Sequence, residues 1–312
     1  MNNTERNLAA MVKGICVCEG IACTAFSYDW IFLLEKNGLR RCIFGYKFAL
    51  NSDTAGRICE DKSAAAELLA QGGVPAVPHE LFFSPNNLHF IGEEGNGQRL
   101  SALLAQYGEL VCKTNEGTGG SHVYRVKTAA ELEKAAAAVF AASRTMAVCP
   151  FVAIEQEYRV ILLDGEVQLM FAKRIPALTG DGKQTLRALL AAYLRDGGTL
   201  PEKLPESAAP DAILPEGARF PLHWKHNLGQ GAGSEAVTDS VLTQALAALA
   251  KRAAETVGIR FASVDIIQSA AGLQVLEINS GVMMEHFSRE SAAQYETAKE
   301  IYRRAILRMF EA

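Results

Sequence analysis

What this chain lacks narrows its function before anything it contains. No run of about 18 apolar residues occurs in it, so no membrane-spanning helix is expected. There is no basic excess: 31 Lys and Arg stand against 35 Asp and Glu, a formal net charge of −4, which leaves no electrostatic footprint for nucleic acid. The opening MNNTERN has neither an apolar core nor a cleavage site, so no secretory signal is expected. The seven cysteines (Cys16, Cys18, Cys23, Cys42, Cys59, Cys112 and Cys149) are odd in number, irregularly spaced and contain no CxxC pair. That argues against a disulfide framework and for reduced thiols in a cytoplasm, and a metal knuckle at Cys16, Cys18 and Cys23 lacks a nearby His to support it. Repeats and low-complexity segments are absent too, the alanine runs being helix filler. What remains is a 312-residue chain, 49% hydrophobic and 21% charged, an ordinary globular composition long enough for two or three lobes with a real core.

Local patterns divide the chain. Asn7 to Lys13 reads as a short helix. Trp30 to Glu35 and Arg40 to Phe48 read as strands around Asn37-Gly38, the strongest short hairpin signal. This opening is too small to bury much core alone and is expected to pack on the rest of the chain. A helix with Ser63 as the expected cap and AAAELLA as its body stops at Gly72-Gly73. Leu110 to Lys113 and Val123 to Val126 are strands on either side of a glycine-rich loop, and Thr128 to Glu131 form a capping box for a helix to about Ala142. Met146 to Phe151 is a strand, and Glu157 to Leu163 and Glu166 to Phe171 form a hairpin around Asp164-Gly165. A turn at Gly180-Asp181-Gly182 precedes a helix capped by Thr185, and residues 197–218 read as a long loop. Asp239 or Ser240 caps an amphipathic helix ending at Gly258, with Leu242, Ala245, Leu246 and Leu249 on one face, and Ser291 to Phe310 is helical.

The stretch FASVDIIQSAAGLQVLEINSG, Phe261 to Gly281, reads as two strands around Ala271-Gly272. Glu277 and Asn279 are two apart and share a face, and if the strands pair, Asp265 joins them. Two carboxylates and an amide, all oxygen donors, suit a hard cation such as Mg²⁺. A surface acid pair and a turn Asn are the plain alternative. Upstream, Lys113 ends a strand and faces Gly117, Thr118, Gly119, Gly120 and Ser121, where glycines let backbone N–H groups approach phosphate oxygens. Neither common phosphate motif is present: Gly120 is followed by Ser121-His122 rather than Lys-Ser/Thr, and a strand rather than a helix comes after the loop. Taken alone, the loop also reads as a plain hairpin turn.

The order of these features is more specific than any one of them. A Lys after an Asp, a Lys before a glycine loop, an apolar strand, a Glu-Tyr-Arg hairpin, a Gly-Asp-Gly turn, an Asn-x-x-x-Gly segment at Asn227 and the acid hairpin succeed one another. In this order, from about residue 58 to 288, the chain resembles the ATP-grasp ligases, D-alanine–D-alanine ligase, glutathione synthetase and especially the ligase domain of cyanophycin synthetase among them. FAKRIPALTGDGKQTLRALL and NLGQGAGSEAVTD are similar to that last group's segments.

The resemblance implies an α+β fold of two lobes clasping ATP between antiparallel sheets. A small amino-terminal region over 1–57, a first lobe over 58–147 and a second over 148–312 would result. Lys62 and Lys113 would hold the α- and β-phosphates and Gly117 to Ser121 would cover the β- and γ-phosphates. Cys149 to Val152, with Phe151 between, would be the hinge meeting adenine, and Glu157 the ribose-binding acid. Asp265, Glu277 and Asn279 would bind Mg²⁺, or Mn²⁺ in its place. Lys173 or Arg174, with Asn227, would serve the γ-phosphate or the acyl group. Where some relatives carry Arg two residues before the first metal acid, this chain has Ser263, and where many read Asn-x-x-Pro-Gly it reads Asn279-Ser-Gly-Val-Met-Met-Glu-His286. The acceptor is therefore not carried over, and His226 and His286 are candidates on that side. The activity implied is a carboxylate–amine ligase acting on small-molecule acids and amines, an amino acid or peptide among them, without nucleic acid or membrane and with a homodimer left open. A phosphotransferase and a non-catalytic nucleotide-binding protein are the rivals.

Overall fold

The computed structural model describes residues 6–90, 96–117, 122–197, 209–222 and 233–311. The chain forms two compact units, Met1–Phe171 with Val237–Ala312, and Ala172–Ala236.

The larger unit opens with helix α1 (Asn7–Glu19), longer than the sequence pattern predicts because it runs on to Gly20, whose left-handed backbone ends it. Four antiparallel strands come next in the order β1-β2-β3-β4: Ala22–Phe26, Ile31–Lys36, Leu39–Phe44 and Lys47–Phe48. Asn37 (φ 52°) and Gly38 (φ 77°) make the tight turn that the Asn-Gly pair predicts. The sequence pattern does not predict the first strand, nor the left-handed run Ser27, Tyr28, Asp29 that turns it into the second. Phe32, Leu34 and Ile43 are fully buried on the inner face of this sheet, and Phe48 meets the Phe261 ring edge-on at 5.1 Å and stacks on Tyr302 at 5.5 Å. The opening region thus shares a core with the carboxyl-terminal part of the chain.

Helix α2 (Asp53–Glu60) leads directly into α3 (Lys62–Gln71). The expected cap, Ser63, is corrected here: Asp61 caps α3, its Oδ1 accepting the Ala64 N–H at 2.8 Å, and the Ser63 hydroxyl bonds Asn115 instead. Both are good capping residues, and the one nearer the Gly-Gly stop lost to the one that could leave the helix by an extended backbone. A second antiparallel sheet has the order β5-β8-β6-β7, from Glu80–Phe83 (β5), Leu110–Thr114 (β6), Val123–Val126 (β7) and Thr145–Pro150 (β8). Helices α4 (Asn96–Tyr107) and α5 (Ala129–Ala142) belong with it, and its outer core contains Leu100, Leu103, Leu132 and Val139. The predicted capping box of α5 is present in full.

A third sheet begins with β9 (Gln156–Leu163) and β10 (Glu166–Arg174), joined through Asp164 and Gly165, both at positive φ. The end of β10 enters the smaller unit. There β11 (Ala177–Thr179) and β12 (Arg219–Pro221) pair, α6 (Leu186–Arg195) is capped by Thr185, and Leu178, Leu186 and Leu222 form a separate core. Strand β13 (Gly233–Ala236) follows, Arg174 Nε donating to Glu235 at 2.9 Å.

Back in the larger unit, α7 (Ser240–Val257) is capped by Asp239 and ended by Gly258. Its buried face is Leu246, Leu249, Ala250, Ala253, Ala254 and Val257. Ala245, expected on that face, is exposed. Strands β14 (Phe261–Ser269) and β15 (Gly272–Asn279) complete the third sheet, whose order is β13-β10-β9-β14-β15, and α8 (Glu285–Arg289) and α9 (Ala292–Arg308) end the chain.

Candidate functional site

Cross-strand register assembles the site. Asp265 lies opposite Arg159 on β9 and Glu277 on β15, so Arg159, Asp265 and Glu277 form one row across three strands. Ser263 lies opposite Asn279, in the next row on the same face. The register shifts after Asp265, where Leu276 is the extra residue of a β-bulge, so the acid row sits at a local irregularity of the hairpin. Asn279 Nδ2 donates to Glu277 Oε1 at 3.2 Å. Arg159 Nε and Nη2 donate to the two oxygens of Asp265 at 2.8 and 2.7 Å, and Asp265 is 1% exposed. Burial alone would lower the Arg159 pKa. The charge and hydrogen bonds of Asp265, with Glu277 and Glu157 beyond, reverse that and hold the guanidinium firmly protonated.

Ile267, two residues along the same face of β14, packs with Val111, Cys149 and Val77, and Phe151, Val152, Ile154 and Leu276 lie against them. The acid-bearing face of the third sheet and the inner face of the second therefore enclose one apolar layer. Lys113 is on that inner face, two residues from Val111, and is buried. Lys62, at the first position of α3, donates through Nζ to the carbonyl oxygens of Gly117 at 2.6 Å and Asn115 at 3.1 Å. Among the described residues neither lysine is in an ion pair. Burial lowers the Lys62 pKa to about 8, with Lys113 adding to the fall and Glu277 opposing it. A Cβ on Gly117 would overlap Thr114 Oγ1, so any other residue there would require the Thr114 side chain to move.

Residues 222–304 match the RimK-like ATP-grasp domain. Over 96% of this chain and 44% of the other, the structure is similar to a bifunctional glutathione synthetase from Pasteurella multocida, at TM-score 0.56 and 16% identity. A D-alanine–D-alanine ligase from Bacillus anthracis matches over 83% of this chain and 68% of its own, at TM-score 0.54 and 14% identity. A D-alanyl-alanine synthetase A from Vibrio cholerae matches over 83% and 66%, at TM-score 0.52 and 12% identity. The chain spans less than half the length of the glutathione synthetase. No curated protein matches it by sequence. The chain has the ATP-grasp fold.

In this ATP-grasp chain the structure brings together Lys62, Lys113, Gly117, Glu157, Asp265, Glu277 and Asn279 within the larger unit. Glu157 is buried, opposite Ile267. Cys149 is buried, its thiol pKa raised by that burial, which suits packing rather than chemistry. Within the expected hinge the Phe151 N–H already donates to the Glu109 carbonyl at 2.9 Å, and the Arg125 guanidinium lies 3.6 Å over the Phe151 ring. Lys173 and Arg174 belong to the smaller unit, the first buried, the second paired with Glu235. Thr118, Gly119, Gly120, Ser121, His226 and Asn227 lie outside the described residues. His286 is half-buried on α8, its pKa lowered by burial and then by Arg289.

No three His, Cys, Asp or Glu side chains are grouped to hold a metal among the described residues, so a cation here would depend on Asn279 and on the substrate itself. The donor set fits that demand. Mg²⁺ takes one or two carboxylates together with phosphate oxygens. Arg159 donates to both Asp265 oxygens and holds the carboxylate in one orientation beside Glu277. Sequence reasoning missed the Arg159–Asp265 pair, which only register reveals, and Asn115, whose Oδ1 accepts from the Ser63 N–H and hydroxyl at 3.2 and 3.0 Å.

Proposed function

We propose that the protein is an ATP-dependent carboxylate–amine ligase. The observation that carries this is the pair Lys62 and Lys113, two lysines without carboxylate partners among the described residues, in the same unit as the Arg159–Asp265–Glu277 row. A buried ammonium without a counter-ion is costly, and a triphosphate repays that cost. The known structures it resembles include enzymes named as glutathione synthetase and D-alanine–D-alanine ligase.

In this reading a substrate carboxylate oxygen attacks the γ-phosphorus of ATP, ADP leaves, and an acylphosphate forms. An amine that has lost its proton attacks the acyl carbon, phosphate leaves and an amide remains. No covalent enzyme nucleophile is required. Catalysis comes from positioning and charge neutralisation. Lys62 and Lys113 hold phosphate oxygens, and the loop from Gly117 to Ser121 covers them. The apolar layer around Val111 and Leu276 takes adenine against the Cys149–Val152 hinge, and Glu157 takes the ribose. Asp265, Glu277 and Asn279 would hold Mg²⁺ or Mn²⁺, which supplies neutralisation of phosphate charge. Arg159 holds Asp265 in its orientation through both carboxylate oxygens. Lys173 or Arg174, with Asn227, keep the γ-phosphate or acyl role that the resemblance implies, and the three-part division at residues 57 and 147 is kept with them. Substrates are small acids and amines, in a cytoplasmic setting.

The test is ADP release from ATP with pairs of amino acids and peptides, with mass spectrometry of the product. An amide product with stoichiometric ADP and phosphate is expected. A stable phosphorylated product without an amide would make the protein a phosphotransferase instead.

A further inference from the structure

His79 is 4% exposed, one residue before β5, and its Nδ1 lies 2.9 Å from the Val77 carbonyl oxygen. That oxygen can only accept, so Nδ1 carries the ring proton and Nε2 presents a lone pair. Nε2 is buried and has no hydrogen-bond partner among the described residues. More than nine in ten buried polar groups are paired, so a bare acceptor in a core calls for an explanation. Burial, reinforced by the charges of Lys113 and Lys62, holds the His79 pKa well below its ordinary value. The ring therefore stays neutral and Nε2 stays an acceptor at any physiological pH.

Register says where this acceptor is. Glu80 pairs with Val148, so His79 comes level with Cys149, which pairs with Val111 on its other side. Cys149 and Val111 face the apolar layer shared with Ile267 and Leu276. His79 thus stands in the row that walls this layer, one row from Lys113. An apolar layer between two sheets with one unsatisfied acceptor in its wall matches the chemistry of a purine, apolar on its faces and carrying a donor on its edge.

We propose that His79 reads the nucleobase, Nε2 accepting a hydrogen bond from the exocyclic amino group of adenine. This rests on the ATP reading above and names the side chain that would select the base. A purine without that amine leaves Nε2 bare, and one with a carbonyl there sets two acceptors against each other.

The probes are ATP and purine riboside 5′-triphosphate, which differ only in the amino group, titrated into wild type, His79→Phe and His79→Gln. Wild type should prefer ATP by about tenfold, the net effect of satisfying one buried acceptor. His79→Phe should lose most of that preference, and His79→Gln, whose amide oxygen accepts, should restore part of it. A His79→Phe protein that keeps the full preference overturns the proposal. So does one that loses affinity for both nucleotides equally, which would make His79 a support for Lys113. Wild type that binds both nucleotides equally rejects only the role of His79, whereas wild type that binds neither rejects the ATP reading itself. Should the variants fail to fold, ¹⁵N spectra of labelled wild type decide. ATP should shift the His79 Nε2 resonance and purine riboside triphosphate should not, and no shift with ATP overturns the proposal.

Discussion

Lys62 must carry its proton to hold a phosphate, and its surroundings make that conditional. Burial first, then Lys113, bring its pKa down to about 8 in the free protein. Below that pH it is an ammonium; above it, binding a triphosphate first requires taking up a proton. ATP affinity should therefore be flat below pH 7 and fall by up to about tenfold per pH unit above 8. Lys62→Arg, which stays protonated throughout, should flatten the profile from pH 7 to 9 whatever it does to absolute affinity. Titrations across that range check it, and a wild-type affinity unchanged at pH 9 would remove Lys62 from the phosphate site. Glu277→Gln tests the opposite charge. It keeps the shape and the Asn279 bond but removes a negative charge from the row beside Asp265. Turnover should fall by about a thousandfold while nucleotide binding survives in part. Wild-type turnover with an unchanged Mg²⁺ requirement would falsify the metal assignment.

At the scale of elements, the first turn of α1 depends on a residue far along the chain. Arg6 offers no side-chain cap, and the N–H groups of Asn7 and Leu8 donate instead to Glu285 at 2.9 and 3.0 Å. Both bonds put a carboxylate against the positive end of the helix. Glu285→Ala leaves these donors unsatisfied beside a fully buried Leu8 and should cost about 2 kcal/mol, with Glu285→Gln costing less. Denaturant titration measures this; equal midpoints for wild type and Glu285→Ala would show that water replaces the cap. Such a contact also marks where sequence reading stops. Asn37-Gly38, Asp164-Gly165 and the box of Thr128 with Glu131 were legible because their chemistry lies within four residues. So was the face shared by Glu277 and Asn279, since strand period alone sets it. The Glu285 cap, the Arg159–Asp265 pair and the His79 acceptor were not, because each depends on which distant strands and helices become neighbours. The true cap of α3 was missed for a different reason: Asp61 and Ser63 are two residues apart and both capable, and local propensity does not rank them.

For the whole molecule, the site and the stability of the fold should pull in opposite directions at Lys113. It is 7% exposed and in no ion pair among the described residues, so on the proposed reading the unliganded protein buries a lysine whose partner would be the nucleotide. Lys113→Met fills nearly the same volume without the charge. The unliganded variant should therefore melt at the wild-type temperature or above it. ATP with Mg²⁺ should raise the melting temperature of wild type by mass action, about 2.7 kcal/mol of stabilisation at a hundredfold excess over Kd. The variant should lose most of that rise. Four melting curves, each protein with and without nucleotide, separate the two effects. A variant that melts well below wild type without nucleotide would mean that Lys113 supports the fold, through contacts a methionine cannot make. A variant that melts like wild type and still responds fully to ATP would move the phosphate site away from β6 altogether. Only higher or equal stability together with a lost response fits a lysine kept in the core for a ligand rather than for the fold.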